Sequence, residues 1–384
     1  MESIYVNNAG TSWPKAPGVS EAASATHAAP PEASRHALQA ARDEVCLAFG
    51  IDQPERLLLT GSCTAALALL LGDLPLQAGD VVLTSALEHH ALMRPLQQLA
   101  LTRGVLLEVS PYRAGSPFDL EFAQRLLRGG HVRLIAISGA SNVTGELLPV
   151  AEIGKLAREH GVPLLLDAAQ TMGVTPINVR TLPIDMLVFA GHKGPLAPHG
   201  IGGLWAAPHV VFQSPAAVCE VGAIGGDAEA GGPPEAARAA PRCASFPGDC
   251  DVGSANLAAA AGLAAALRWR REQKEDVYRV PRTLAARLRR ALREQPGCRV
   301  FGGQQTPHTA ALSFLLDGLP LAAAEAHFAK RGITLRAGQH CAPLALQAIE
   351  APEGTLRVSF GPFNRESDVD AIVAAVKDVT ATTE

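Results

Sequence analysis

Between about residue 50 and residue 210, short apolar runs alternate with stretches of helical period. The runs at 57–60, 81–85, 105–109, 134–138, 163–167, 186–189 and 202–205 read as strands. Several, such as VPLLLD, are continuously apolar, as strands covered on both faces are. Periodic segments at 63–71, 91–101 and 150–160 lie between them and read as helices. Strand, helix, strand repeated this often predicts an α/β fold with a mostly parallel sheet and right-handed crossovers. The pattern breaks at 213–250, where GGDAEAGGPPEAARAAP has no period and reads as a long loop. Helical period returns at 255–270. From residue 271 the order is helix 280–294, strand 310–316, helix 321–331, strand 355–360 and helix 367–380. The expected organisation is a large domain over 1–270 and a smaller one over 271–384, with residues 1–20 packing on the smaller. No internal repeat is visible.

Composition narrows the class. A chain of 384 residues, 48% hydrophobic and with a net charge of −4, can bury a large core and is not disordered. No basic stripe with interleaved aromatics is present, which argues against a nucleic-acid partner. The opening MESIYVNNAGTSWP lacks a cationic and an apolar region, and no apolar stretch is long enough to span a bilayer. The expected location is the cytoplasm. Seven cysteines at irregular spacing, with no CxxC pair, predict free thiols and no structural zinc.

Two residues carry the chemistry. Lys193 follows an apolar run in FAGHKG, flanked by Gly191 and Gly194. A lysine there sits at the edge where parallel sheets bind ligands, and desolvation favours its neutral, nucleophilic amine. By itself it is more often a surface lysine in a turn. Asp167 ends VPLLLD in a similar setting; it could cap the next turn, or hold the ring nitrogen of a pyridinium cofactor protonated. Gln170 could then donate to the cofactor's phenolate oxygen. The run LLLT followed by Gly61, Ser62, Cys63 and Thr64 and then a helix offers an anion site, although such a cluster is more often only an N-cap.

The segments ASNVTGELLPVAEIGKLAREHGVPLLLDAAQT and DMLVFAGHKGPLAPHGIGGLW closely resemble the class V aminotransferase-like family of pyridoxal 5′-phosphate (PLP) enzymes. Within it the likeness is to the cysteine desulfurase and selenocysteine lyase branch. IYVNNAGTSWPK, SALEHHALMRPL, LRAGQHCAPLAL and EGTLRVSFGPFN resemble further family segments, so the likeness runs from about residue 4 to 375, with a gap in the 213–250 loop. It implies a fold-type I PLP architecture: a large seven-stranded domain, a small C-terminal α/β domain, and a homodimer. It also implies roles. Lys193 is the Schiff-base lysine and proton shuttle, Asp167 pairs with the pyridine nitrogen, and Gln170 with the phenolate oxygen. His89, the first of two histidines after Glu88, stacks on the ring. His192, Cys63 and Thr64 surround the phosphate, and Ser254 reaches the phosphate across the dimer. Asn142 and Arg357, with Arg336 nearby, hold the substrate carboxylate. Cys341 is the thiolate that accepts sulfur, its pKa lowered by Arg336 and His340. The other six cysteines read as small buried hydrophobes.

This chain departs from the family pattern at Ala65, Ala190, Asn7 and in the 219–232 stretch of the loop. The leading expectation is a cysteine desulfurase that converts L-cysteine to L-alanine and passes sulfur through a Cys341 persulfide to an acceptor protein or small molecule. The second keeps PLP but makes the chain a C–S lyase, a selenocysteine lyase or an aminotransferase-like enzyme of specialised metabolism. The third is a degenerate relative acting as a scaffold or sulfur-carrier partner.

Overall fold

The computed structural model describes residues 3–30, 34, 36–213 and 255–380. The predicted 213–250 loop, beyond its first residue, and Ser254 lie outside the described residues. Seven strands form one sheet: β2 (Leu57–Thr60), β3 (Val81–Ser85), β4 (Leu106–Ser110), β5 (Val132–Ser138), β6 (Leu164–Asp167), β7 (Met186–Ala190) and β8 (Gly202–Ala206). Their order is β2-β8-β7-β6-β5-β3-β4; only β8 runs antiparallel to its neighbours.

The continuous apolarity of these strands has a direct cause. Side chains alternate across a strand. Leu164, Leu166, Leu187 and Phe189 enter one buried cluster, with residues of α2 (His36–Phe49), α5 (Leu120–Arg128), α6 (Val150–Glu159) and α7 (Leu257–Glu272). Leu165, Met186 and Val188 enter another on the opposite face, with α3 (Cys63–Asp73) and α4 (His90–Arg103). Both faces are roofed, so no position on the central strands is left for a polar residue until the strand ends.

A second sheet, all antiparallel, has the order β12-β13-β10-β9: Arg336–Gly338, Thr355–Ser359, Ala311–Leu316 and Cys298–Val300. Its own cluster includes Leu284, Leu288, Phe314, Phe328, Val358 and Val376, drawn in part from α8 (Arg279–Arg293), α9 (Leu321–Ala329) and α11 (Glu366–Thr380). The N-terminal segment is fastened to this part of the molecule. Strand β1 (Ile4–Tyr5) pairs in parallel with β11 (Ile333–Thr334), and Asn8 N and Ala9 N donate to Ser359 O at 3.2 Å and Ser359 Oγ at 2.8 Å. Among the described residues no helix is long and apolar enough to cross a membrane.

Candidate active site

Every parallel strand whose end matters to the site stops in a polar residue or a turn. Asp167 is the last residue of β6, beside Ser138 of β5. Lys193 follows β7, His89 is the N-cap of α4, and Cys63 opens α3 behind N-cap Ser62. Gly202 makes that last placement possible: a Cβ there would stand 2.7 Å from Cys63 N, so only glycine lets the helix start lie against β8. These ends converge on a cavity of about 240 Å³ that also receives Asn142, Gln170, His192, Arg336, His340, Cys341 and Arg357. A larger cavity of about 910 Å³ opens between Asp80, Arg133, Pro163 and Asp185. It lies at the opposite, N-terminal ends of the strands and holds none of these groups, whereas open α/β sheets bind ligands at their C-terminal ends.

At one end of the small cavity a carboxylate faces an amine. Asp167 is buried, and Oδ1 accepts from Ala169 N at 2.8 Å and Cys63 Sγ at 3.4 Å, which leaves Oδ2 without a protein donor. Burial raises its pKa, against those two hydrogen bonds and Lys193. Burial lowers the pKa of Lys193, with Asp167 opposing, and so promotes the neutral amine. The Cys63 thiol, expected beside the phosphate, donates to Asp167 Oδ1, and the first-turn amides of α3 have no acceptor within the helix.

His89 Nδ1 accepts from Ala91 N at 3.0 Å, which assigns the ring proton to Nε2. Burial, then Lys193, pushes its pKa down to about 3, so the ring is neutral and suited to stacking on an aromatic cofactor. Gln170 Nε2 donates to Ala9 O at 3.1 Å, tying the side chain meant for the phenolate oxygen to the N-terminal segment. The carbonyl of His192 accepts from Ser12 N at 2.9 Å, Ser12 Oγ at 3.0 Å and Lys15 Nζ at 3.2 Å. Two residues absent from the sequence-based set support the site. Glu88, fully buried, accepts from Ser85 Oγ, Ser138 Oγ and Ser138 N, and so ties β3 to β5 beneath Asp167. An acid directly after an apolar strand was its only signal. Lys15, which grips the His192 carbonyl, had none.

At the other end stands a buried cation without an acid. Arg357 is 2% exposed; Nη1 donates to Asn142 O at 2.9 Å and Nη2 to Asn7 Oδ1 at 3.1 Å. Both acceptors are neutral, and Nε has no partner. Arg336 lies opposite in the strand register and, after burial, helps push the Arg357 pKa down to about 9. Asn142 Nδ2 donates to His340 O at 2.8 Å.

His340 differs from expectation. It is 3% exposed, and Nε2 pairs with Thr355 O at 3.0 Å and Thr355 Oγ1 at 2.9 Å. Burial, then Arg357, pushes its pKa down to about 3, so it is neutral and cannot supply charge to Cys341. His340 holds the loop instead. Both His340 and Cys341 adopt left-handed backbone angles (φ 53° and 55°), and Cys341 O accepts from His90 N at 2.8 Å. The thiol residue itself is exposed. Because the folded pKa of His340 lies below the unfolded value of about 6.5, its stabilisation is present above that pH and lost as pH falls. The wild type should lose about 2 kcal/mol between pH 7 and pH 5 through this residue. Denaturant unfolding at the two pH values should show that much less loss for His340→Gln; equal loss in both proteins would refute it.

Four buried polar atoms around the cavity have no protein partner: Asn142 Oδ1, His192 Nδ1, His340 Nδ1 and Arg357 Nε. With the Asp167–Lys193 pair at one end and uncompensated guanidinium at the other, the residues fit a bound pyridinium cofactor carrying a phosphate, together with a carboxylate substrate.

Known proteins agree. The sequence matches the family described as Aminotransferase class-V over residues 18–372. It is 36% identical over 352 residues to a probable cysteine desulfurase of Pseudomonas aeruginosa, covering 90% of this chain and 84% of that protein. It is 32% identical to one from Mycolicibacterium paratuberculosis, of which it spans 49%. The fold superposes on a cysteine desulfurase from Thermococcus onnurineus NA1 with a TM-score of 0.87 at 26% identity, covering 99% and 95% of the two chains. It superposes on CsdA of Escherichia coli with a TM-score of 0.85 at 27% identity and the same coverage. The chain belongs to the aminotransferase class-V family. These relatives are cysteine desulfurases or probable ones, and the cofactor for which the site is built is PLP.

Proposed function

We propose that the protein is a PLP-dependent cysteine desulfurase that converts L-cysteine to L-alanine and retains the sulfur on Cys341. The observation that carries this reading is the shared cavity: Lys193 and Asp167 at one end, Arg357 without an acid at the other, and the exposed Cys341 on its wall. When bound, PLP supplies the electron sink that loosens bonds at the substrate's α-carbon. The remaining work falls to the chain. Asp167 keeps the ring nitrogen protonated, His89 packs on the ring, Gln170 meets the phenolate oxygen, and the helix start at Cys63 and Thr64, with His192, receives the phosphate. Arg357, steadied by Asn142 and Asn7 and seconded by Arg336, grips the substrate carboxylate. Lys193 carries protons at the substrate carbons. Cys341 Sγ, as thiolate, forms the S–S bond as the Cβ–S bond breaks, and the electron pair left on Cβ takes up a proton to give alanine.

The exposure of Cys341 supports delivery of the persulfide to an acceptor protein. Free thiols at Cys46, Cys63, Cys298 and Cys341 support a cytoplasmic location. The second sheet has its own core, which supports a boundary near residue 270, although Phe301, Ala345, Leu346 and Ile349 pack into the core of the large sheet; Ser254 is assigned to a phosphate across a homodimer. Selenocysteine presents the same carboxylate and amine, so it is a second substrate of the same site.

The test is an absorbance spectrum of the purified protein before and after L-cysteine, with sulfide, alanine and pyruvate assayed. A PLP band that shifts on cysteine, with alanine formed, supports the proposal. Pyruvate in place of alanine identifies a C–S lyase. Failure to take up PLP refutes it and leaves a non-enzymatic scaffold.

A further inference from the structure

Away from the catalytic cavity and sharing no residue with it, a second cavity of about 510 Å³ lies along α8. Arg282, Arg289, Arg290 and Arg293 line it, with Thr306 and His308 opposite. The arginines recur at helical spacing, so that one face of α8 is cationic. Arg282 is neutralised by Asp276. The other three form no ion pair among the described residues. Arg289 is only 6% exposed; Nη2 donates to Ala311 O at 3.1 Å, and Nε is buried without a partner. Arg293 Nη2 donates to Gly302 O at 2.8 Å, and Arg290 is exposed. His308 Nε2 is likewise buried and unpartnered.

No acid pairs directly with Arg289, Arg290 or Arg293 among the described residues. Glu146 attracts Arg289 and Arg293 at a distance, but its oxygens are taken by Tyr112 Oη at 2.8 Å, Gly303 N at 2.9 Å, Gly115 N at 3.1 Å and Thr306 Oγ1 at 3.3 Å. Glu294 lies on the rim and pairs with no arginine. A buried guanidinium N–H without an acceptor, such as Arg289 Nε, is costly unless something completes it. Planar guanidinium groups converging on one space fit the oxygens of a phosphate, which they bind bidentately. The volume falls in the range of small-molecule sites, roughly 300–1,000 Å³, and exceeds what a bare ion needs.

We propose that this arginine-lined cavity is a second, non-catalytic site that binds a small molecule through a phosphate or diphosphate group. Isothermal titration of the PLP-loaded enzyme with inorganic pyrophosphate at constant ionic strength tests it, with PLP content followed by absorbance. Expected are saturable binding at one site per chain, at least about 10-fold weaker binding in Arg290→Ala, and partial rescue by Arg290→Lys. Arg290→Ala combined with Arg293→Ala should bind none. Should that double variant not fold, the single exposed change Arg290→Glu makes the same decision. Unchanged binding in a folded variant would move pyrophosphate to the catalytic guanidinium groups or elsewhere on the surface and overturn the proposal. So would the absence of saturable binding to the wild type.

Discussion

Cys341→Ala should lower sulfide and alanine formation from L-cysteine by about 100-fold or more, a barrier increase of about 3 kcal/mol. PLP uptake and the cysteine-induced spectral change should survive. The separation of the two effects follows from position. Cys341 lines the cavity and is exposed, while Lys193, Asp167 and the α3 start, which would hold the cofactor, do not depend on its thiol. No other described cysteine can replace it. Cys63 is buried, its thiol pushed well up by burial and by Asp167. Burial pushes Cys46 up to about 11 and Cys298 up to about 12. Mass spectrometry of the wild type after a brief exposure to cysteine should find the extra sulfur on the peptide that contains Cys341. Full alanine production by Cys341→Ala would end the persulfide reading and favour elimination.

Lys193→Ala should lower turnover by about a thousandfold or more, since one group both captures the cofactor and moves protons. Borohydride should fix PLP covalently to the wild type and not to the variant. Lys193→Arg should fail as badly. Arginine puts a permanent positive charge beside Asp167, stays protonated and cannot act as a nucleophile. Activity restored by arginine would mean that the charge, not the amine, is what the site needs.

Much of this was legible because strands buried on both faces leave no doubt in the sequence. The runs at 57–60 and 81–85 coincide with β2 and β3, and the remaining strands of the seven-stranded sheet fall within two residues of expectation, whereas β9 and β12 of the second sheet were not expected. Lys193 and Asp167 were legible for a related reason: Asp167 is the first polar residue after such a run, and Lys193 stands in the glycine-flanked turn that ends the next one. Short elements without a period were not. β1 and β11 have two residues each and exist only because they pair with each other. α1 (Val19–Ala28) and α2 went unremarked, and α10 (Pro343–Ala348) is too short to show a face. Side-chain direction was also out of reach. Sequence placed Cys63 by its phosphate-site neighbours, and only the turn of α3 against β8 aims its thiol at Asp167. His340 was read as a cation because it adjoins Cys341, yet the backbone turn that exposes the cysteine buries the histidine.

The attachment of the N-terminal segment has a consequence for biosynthesis. Asn7 holds Arg357, Ala9 O holds Gln170, and Val6, Asn8 and Ala9 are stitched to Ser359. Asn7 and Arg357, and Asn8 and Ala9 with Ser359, lie at least 350 positions apart, so these early residues must wait for late ones before they find their places. The seven-stranded sheet can assemble while synthesis continues, but the substrate end of the cavity cannot close until the strand bearing Arg357 has emerged. A nascent chain stalled short of that strand would therefore carry the lysine and aspartate without a finished substrate pocket, and competence to turn over substrate is acquired only after that strand has been made.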